Sequence, residues 1–206
     1  MAPEQRIATA PATEKGEETR SHILALAARM IAEHGYGGMS LNDLIRQSGL
    51  TKGAFYFHFR SKDDLAREVY RFQQERWTER ILSRIGSEQR ALDRLTGMAR
   101  ALVEIHGTDP AARAFERMCT EHGDIEGFQD EMRTGLGGWV ELVTDTIRQA
   151  QDEGDVGGDV DAAAAARVCV AGFIGMEEVS YSLSDGEDLP GRIEEFLTLL
   201  LRAIKT

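Results

Sequence analysis

The sequence predicts an all-α protein of about nine helices, and three observations carry that prediction. Proline occurs only four times in 206 residues while Ala, Leu, Arg and Glu are abundant, a composition rich in helix formers. From Thr19 onward apolar residues recur at helical period, as in Ile23, Ala27, Met30 and Ile31 at i, i+4, i+7 and i+8. The breaks between such runs carry Gly, Pro and short polar residues, and several reopen on a Ser or Thr suited to capping a new helix.

The elements follow in order. Residues 1–18 are read as a flexible tail, polar, with Pro3 and Pro11 and no sustained period. The first helix runs from Thr19 to the stretch His34-Gly35-Tyr36-Gly37-Gly38, whose glycines permit the positive φ of a helix end. Ser40 caps a second helix, with Asp43 three residues on and Leu41, Leu44 and Ile45 facing inward. Ser48-Gly49-Leu50 makes a tight turn, Thr51 caps a short helix to His58, and Ser61 with Asp64 opens a long one to about Ile85. Further helices are predicted near 88–106, 109–121, 126–153, 160–183 and 189–204. The division that results is a tail (1–18), a compact three-helix unit (19–62) and a helical remainder (63–206).

Composition narrows the function classes. Charged residues make up 29% and apolar ones 42%, which suits a soluble globular chain. Cys119 and Cys169 lie far apart, which argues for a reducing compartment rather than a disulfide scaffold. No signal peptide is visible, and the longest apolar run, Val168 to Met176, falls short of the roughly 20 residues a membrane helix needs. The expectation is a cytoplasmic protein that does not engage a membrane.

The net charge of −11 looks wrong for a partner of nucleic acid, but its distribution is uneven. Residues 76–206 carry all of it, whereas residues 19–62 hold six basic side chains against two acidic ones. A polyanion meets the local charge within a Debye length of about 8–10 Å.

Three short helices in so few residues, the second and third joined by a Gly-containing turn, form the helix-turn-helix pattern that reads double-stranded DNA. Lys52 and Lys62 both stand at helix starts, where a cation opposes the dipole, a placement that makes sense if they point at phosphates. In the run Phe55-Tyr56-Phe57-His58-Phe59, Phe55 and Phe59 share a face and are expected to pack on Leu44, Ile45 and Leu50. Tyr56 and His58 then fall on other faces, available to phosphate oxygens. Gly53 leaves room for the backbone to approach the groove.

These residues carry a resemblance. Gly35-Tyr36, Ser40-Leu41, Ser48-Gly49-Leu50-Thr51-Lys52-Gly53, Tyr56-Phe57-His58-Phe59 and Ser61-Lys62 resemble the DNA-binding domain of the tetracycline-repressor (TetR) family. The resemblance implies a homodimeric repressor that places two recognition helices in successive major grooves of a pseudo-palindromic operator and carries a C-terminal effector pocket. It implies that Thr51, Lys52, Tyr56, His58 and Lys62 contact DNA, with Ser40 on a phosphate and Gly53 where the helix meets the groove. A narrower likeness, in Lys52 to Phe59, Trp139 and the segment Gly172 to Ser180, is to γ-butyrolactone receptors of actinobacteria. In that branch the tryptophan matching Trp139 lines the pocket; a threonine is usual where Ile174 stands and a glutamine where Glu177 stands.

The C-terminal part offers two apolar helices, 160–183 with its strip of small residues and 189–204 with Ile193, Phe196, Leu197, Leu200, Leu201 and Ile204. They are the expected homodimer interface. Met98, Leu102, Phe115, Met118, Met132, Leu136, Trp139 and Phe173 are the candidates to line a pocket for a small lipophilic effector, with Glu177 to orient it. His106, Thr144 and Tyr181 are further polar groups among them.

Rival readings have less behind them. No phosphate loop, nucleophile elbow or zinc-protease motif appears, so neither an enzyme nor a bound cofactor is expected. His106, Cys119 and His122 make a poor metal set, and neither cysteine is flanked by the basic residues that activate a thiol. A helical protein-interaction module, or a related regulator without an effector, is the alternative.

Overall fold

The computed structural model describes residues 14–85, 90–109, 118 and 125–205. Among them are eight helices and no strand: α1 (Glu14–Gly38), α2 (Leu41–Ser48), α3 (Lys52–His58), α4 (Lys62–Arg84), α5 (Ala91–Thr108), α6 (Phe128–Asp152), α7 (Ala162–Ser184) and α8 (Leu189–Ile204). The all-α prediction holds. The helix expected over 109–121 falls almost wholly outside the described residues.

The first helix departs from expectation at its start, since α1 begins at Glu14 rather than Thr19 and takes in the end of the predicted tail. Glu17 and Glu18 near that end suit the positive pole of the helix dipole, and Thr19 Oγ1 donates back to Lys15 O at 2.8 Å. The other end follows the glycines: Gly35 leaves helical geometry at φ 72° and ψ 168°, and Tyr36 to Gly38 form a last separate turn.

The next three starts are capped as the sequence predicts. Ser40 Oγ accepts from Asp43 N at 3.3 Å, Thr51 Oγ1 from Ala54 N at 3.2 Å and Ser61 Oγ from Asp64 N at 3.0 Å. Asp64 also reaches back to accept from Arg60 N at 2.9 Å, so two otherwise unpaired N–H groups are satisfied at one helix start. Gly49 closes α2 in the left-handed conformation at φ 71°.

Those short helices enclose one core. Ile23, Ala27, Ile31, Leu44, Phe55, Phe59 and Leu65 are buried in it together, with Leu41 and Leu50 packed against its edge. Phe55 and Phe59 are fully buried with ring centroids 5.6 Å apart, as their i, i+4 spacing requires. The core continues through α4 to Phe128 at the start of α6, whose ring meets that of Tyr70 edge-on at 5.0 Å.

Among the described residues, α4 to α8 pack together as a bundle. One cluster joins Leu92 and Leu95 of α5, Val143 and Ile147 of α6, Ala166 and Cys169 of α7 and Leu200 and Ile204 of α8. A second joins Trp77 and Ile81 of α4 to Met98 and Ile105 of α5. The small residues of α7 admit α8 closely: a Cβ at Gly172 would stand 2.3 Å from the Phe196 ring. Most of the apolar stripe of α8, Ile193, Leu197, Leu200 and Ile204, is consumed inside the chain. No described helix is long and apolar enough to cross a membrane.

Candidate functional site

Two surfaces stand out, one on the N-terminal helices and one inside the bundle. On the first, α3 presents the face opposite Phe55 to solvent. Lys52 and Gly53 are exposed, nothing lies within 4 Å of where a Gly53 side chain would begin, and Tyr56 is 43% exposed with Lys52 Nζ 6.0 Å above its ring. His58 is half-buried between Phe57 and Phe59. Ser40 and Thr51 spend a hydroxyl lone pair on their own helices, which leaves each hydroxyl proton to a further acceptor.

Lys62 is held more tightly than a helix-start lysine should be. Its Nζ donates to Gly37 O at 3.4 Å and lies 4.4 Å over the Tyr36 ring, while Tyr36 donates its hydroxyl to Asp63. Burial lowers the Lys62 pKa, with neighbouring Asp63 acting in the opposite sense. The lysine thus braces the end of α1 against the start of α4. Phe57, which the sequence did not single out, is 85% exposed. Its signal was available in the spacing, since two residues after buried Phe55 is close to the opposite side of a helix.

The second surface is a cavity of about 340 Å³ between α4, α5, α6, α7 and α8. Met98, Leu102, Met132, Leu136, Trp139, Phe173 and Glu177 all line it, and so does His106. Met118 does not: it is fully buried in the N-terminal core, in one cluster with Ile125 and Phe128. Phe115, Cys119 and His122 lie outside the described residues. Thr144 and Tyr181 are used elsewhere, the first donating to Val140 O at 2.6 Å and the second packing under Gly186.

Sequence reasoning missed the α4 wall. Tyr70, Gln74 and Trp77 line the cavity at i, i+4 and i+7, a helical stripe legible in the sequence but interrupted by a polar residue. Gly135 makes room for it, since a Cβ there would stand 2.2 Å from Gln74 Nε2 and 2.6 Å from the Tyr70 hydroxyl. Cys169 also faces the cavity, and burial pushes its thiol up to about 11, so it stays a neutral, unreactive thiol at physiological pH.

At one end of the cavity His106 of α5 meets Glu177 of α7. Glu177 Oε1 lies against His106 Nδ1, and that oxygen is buried with no hydrogen-bond partner of good geometry. The His106 ring also packs on Trp77 at 5.3 Å and on Phe173 at 6.4 Å.

Polar links join the two surfaces. Arg20 of α1 pairs with Glu68 of α4, and Arg71 one turn on grips Glu131 of α6 through two guanidinium nitrogens, Nε at 2.7 Å. The Glu131 hydrogen bond raises the Arg71 pKa further. Arg67 donates to Glu126 O, and Glu126 N donates to Asp63 at 3.4 Å. The first turns of α4 are therefore tied both to α1 and to the entry of α6.

Comparison with known proteins fits both surfaces. Bacterial regulatory proteins of the tetR family match over residues 23–69, and the tetracyclin repressor-like C-terminal domain matches over residues 87–206. The chain belongs to the TetR family. Among its TetR relatives, the A-factor receptor protein of Streptomyces griseus is 27% identical over 187 residues, 91% of this chain and 64% of that protein. The chain thus spans just under two thirds of that receptor's length. A solved structure described as the molecular basis for control of antibiotic production by bacterial hormones is 30% identical, with a TM-score of 0.80 over 92% of this chain and 98% of that one. TylP, a TetR regulator from Streptomyces fradiae, is 28% identical with a TM-score of 0.74, over 94% of this chain and 89% of that one.

Proposed function

We propose that this TetR-family protein is a cytoplasmic transcriptional repressor that binds a pseudo-palindromic operator as a homodimer and is released by a small lipophilic effector. The observation that carries the reading is that α4, separated from α3 by only three residues, is itself a wall of the apolar cavity. A cavity of this size and lining suits a small ligand.

In this reading residues 19–62, with the preceding turn of α1, are the DNA-binding domain and residues 63–206 bind effector and partner. Lys52, Tyr56 and His58 contact the DNA from α3, Gly53 allows the close approach, and Ser40, Thr51 and Lys62 flank them on phosphates. Phe57 is placed to touch a thymine methyl group. Met98, Leu102, Met132, Leu136, Trp139, Phe173 and Glu177 hold the effector. The homodimer forms through α7 and α8, whose outward residues Val168, Val179, Leu183 and Leu199 are 42–72% exposed and apolar.

Release works through the links described above. An effector that spreads α4 from α6 tilts α4 at Lys62 and changes the separation of the two recognition helices. A coupling free energy on the order of 1–3 kcal/mol loosens operator binding roughly 5- to 150-fold. Similarity to the A-factor receptor makes γ-butyrolactone-type compounds the first effectors to try.

The test is a mobility shift on the gene's own upstream DNA, with a salt titration and a panel of lipophiles. A salt-dependent shift released by one of them supports the reading. A shift that no lipophile releases removes the effector; no shift at low salt favours a protein-interaction module.

A further inference from the structure

The charge inside the cavity is one-sided. Among the described residues that line it there is no lysine or arginine, and its ionisable groups are Tyr70, His106, Cys169, Glu177 and Glu178. The thiol is held neutral, as shown above. Glu178 is at the exposed rim, where water screens it. Among the described lining residues, the charge met inside is that of the His106–Glu177 pair, whose side chains are 7% and 14% exposed.

Of the two, only Glu177 brings a carboxylate to the inner lining, and no described lysine or arginine faces it there. A carboxylate or phosphate entering the cavity would lose its water and find no uncompensated cation in return. A donor meets the opposite situation. A carboxylate has about four lone-pair sites, His106 Nδ1 can fill one at most, and the buried Glu177 Oε1 beside it has no hydrogen-bond partner. The remainder stand at the end of an apolar chamber, where an unfilled acceptor is costly and a charge-assisted hydrogen bond is strong. The faces of Trp77, Trp139 and Phe173, in the same walls, add attraction for a positive head group.

We propose, on the strength of the effector reading above, that Glu177 is the recognition point of the cavity and selects lipophiles whose polar head donates hydrogen bonds. Ammonium heads bind tightest, hydroxyl heads next, and acid heads are rejected.

The two tryptophans of the chain, Trp77 and Trp139, both line the cavity, so intrinsic fluorescence reports occupancy directly. Decylamine, decanol and decanoate, each titrated into the full-length protein at pH 7 below micelle formation, share a tail and differ in the head. The expected order of affinity is decylamine over decanol over decanoate, with about tenfold between the first two. Glu177→Gln keeps the shape and removes the charge. It is expected to weaken decylamine about tenfold and decanol less than twofold.

Equal affinities for the three heads, or tightest binding of decanoate, overturn the donor rule and leave the cavity a ligand site. A Glu177→Gln protein that keeps the parental preference for decylamine also overturns it. No fluorescence response to any of the three, together with an operator complex that no lipophile releases, overturns both the rule and the effector reading beneath it. Should Glu177→Gln fail to fold, the order found with the parent protein decides.

Discussion

The N-terminal helices and the C-terminal bundle solve the same packing problem differently. Around Phe55 and Phe59 the core is filled, α2, α3 and α4 are each capped by their own serine or threonine, and the outward face of α3 carries the exposed groups. Around Trp77 and Trp139 the core is left open by about 340 Å³, and the walls come from five helices that meet only through tertiary contacts. A filled core leaves its side chains little room to shift, whereas an open one leaves space that an occupant would reshape. The contacts Arg71–Glu131 and Arg67–Glu126 join the two, and in the proposed mechanism the second acts on the first through them.

The largest expected effect tests that contrast directly. Phe55→Ala removes a fully buried ring from the filled core and should destabilise by about 3–5 kcal/mol, read from the urea midpoint. Leu136→Ala, on the cavity wall and 37% exposed, should cost about 1 kcal/mol or less. Similar losses at the two positions would mean that the two cores are packed alike.

Gly172→Ala comes next. The added methyl meets the rigid Phe196 ring, which is itself a cavity wall, so the ring must move into the open space or α8 must shift. A loss of about 1–3 kcal/mol and a thermal midpoint lower by several degrees are expected. Decylamine binding should weaken at the same time. Full stability with unchanged ligand affinity would show that α8 does not press on Gly172.

The same contrast governs how much could be read in advance. The caps at Ser40, Thr51 and Ser61, the turn at Gly49 and the i, i+4 pair Phe55 and Phe59 are local signals, complete within a few residues, and every one of these is in place. The cavity has no such signature. Met and aromatic residues at helical spacing mark an inward face but not whether that face meets another side chain or a void. Met118 therefore read like Met98, although one fills the N-terminal core and the other lines the chamber. Trp77 and Tyr70 were legible as inward-facing but not as walls, because their partners lie some 60 residues away in α6.

A smaller effect belongs to the reading surface. Lys52→Ala removes an exposed charge that bears on no core residue, so stability and dimer formation should stay as in the parent protein. Operator affinity should fall, and the slope of log affinity against log salt should flatten by about 1 for each half-site. An unchanged slope would move the phosphate contact elsewhere on the helix-turn-helix.

The smallest effect is expected at the corner where α7 turns into α8, which sets the angle of the proposed dimer face. Asp188 accepts there from Arg192 Nε at 2.7 Å and from the hydroxyls of Ser180 and Ser184. The Arg192 guanidinium, followed by the two serines, holds its carboxyl below the usual carboxylate range. A depressed native pKa stabilises the fold above the unfolded-state value near 3.8, and that contribution disappears as the pH falls through the native value. Asp188→Asn should therefore be less stable than the parent at pH 7, with a gap that narrows below about pH 4. Because water reaches this carboxylate, the gap should be smaller than at Phe55 or Gly172. Paired urea titrations at pH 7 and at acid pH check it. A gap that persists unchanged into acid would mean that the shape of the side chain, and not its charge, holds the corner.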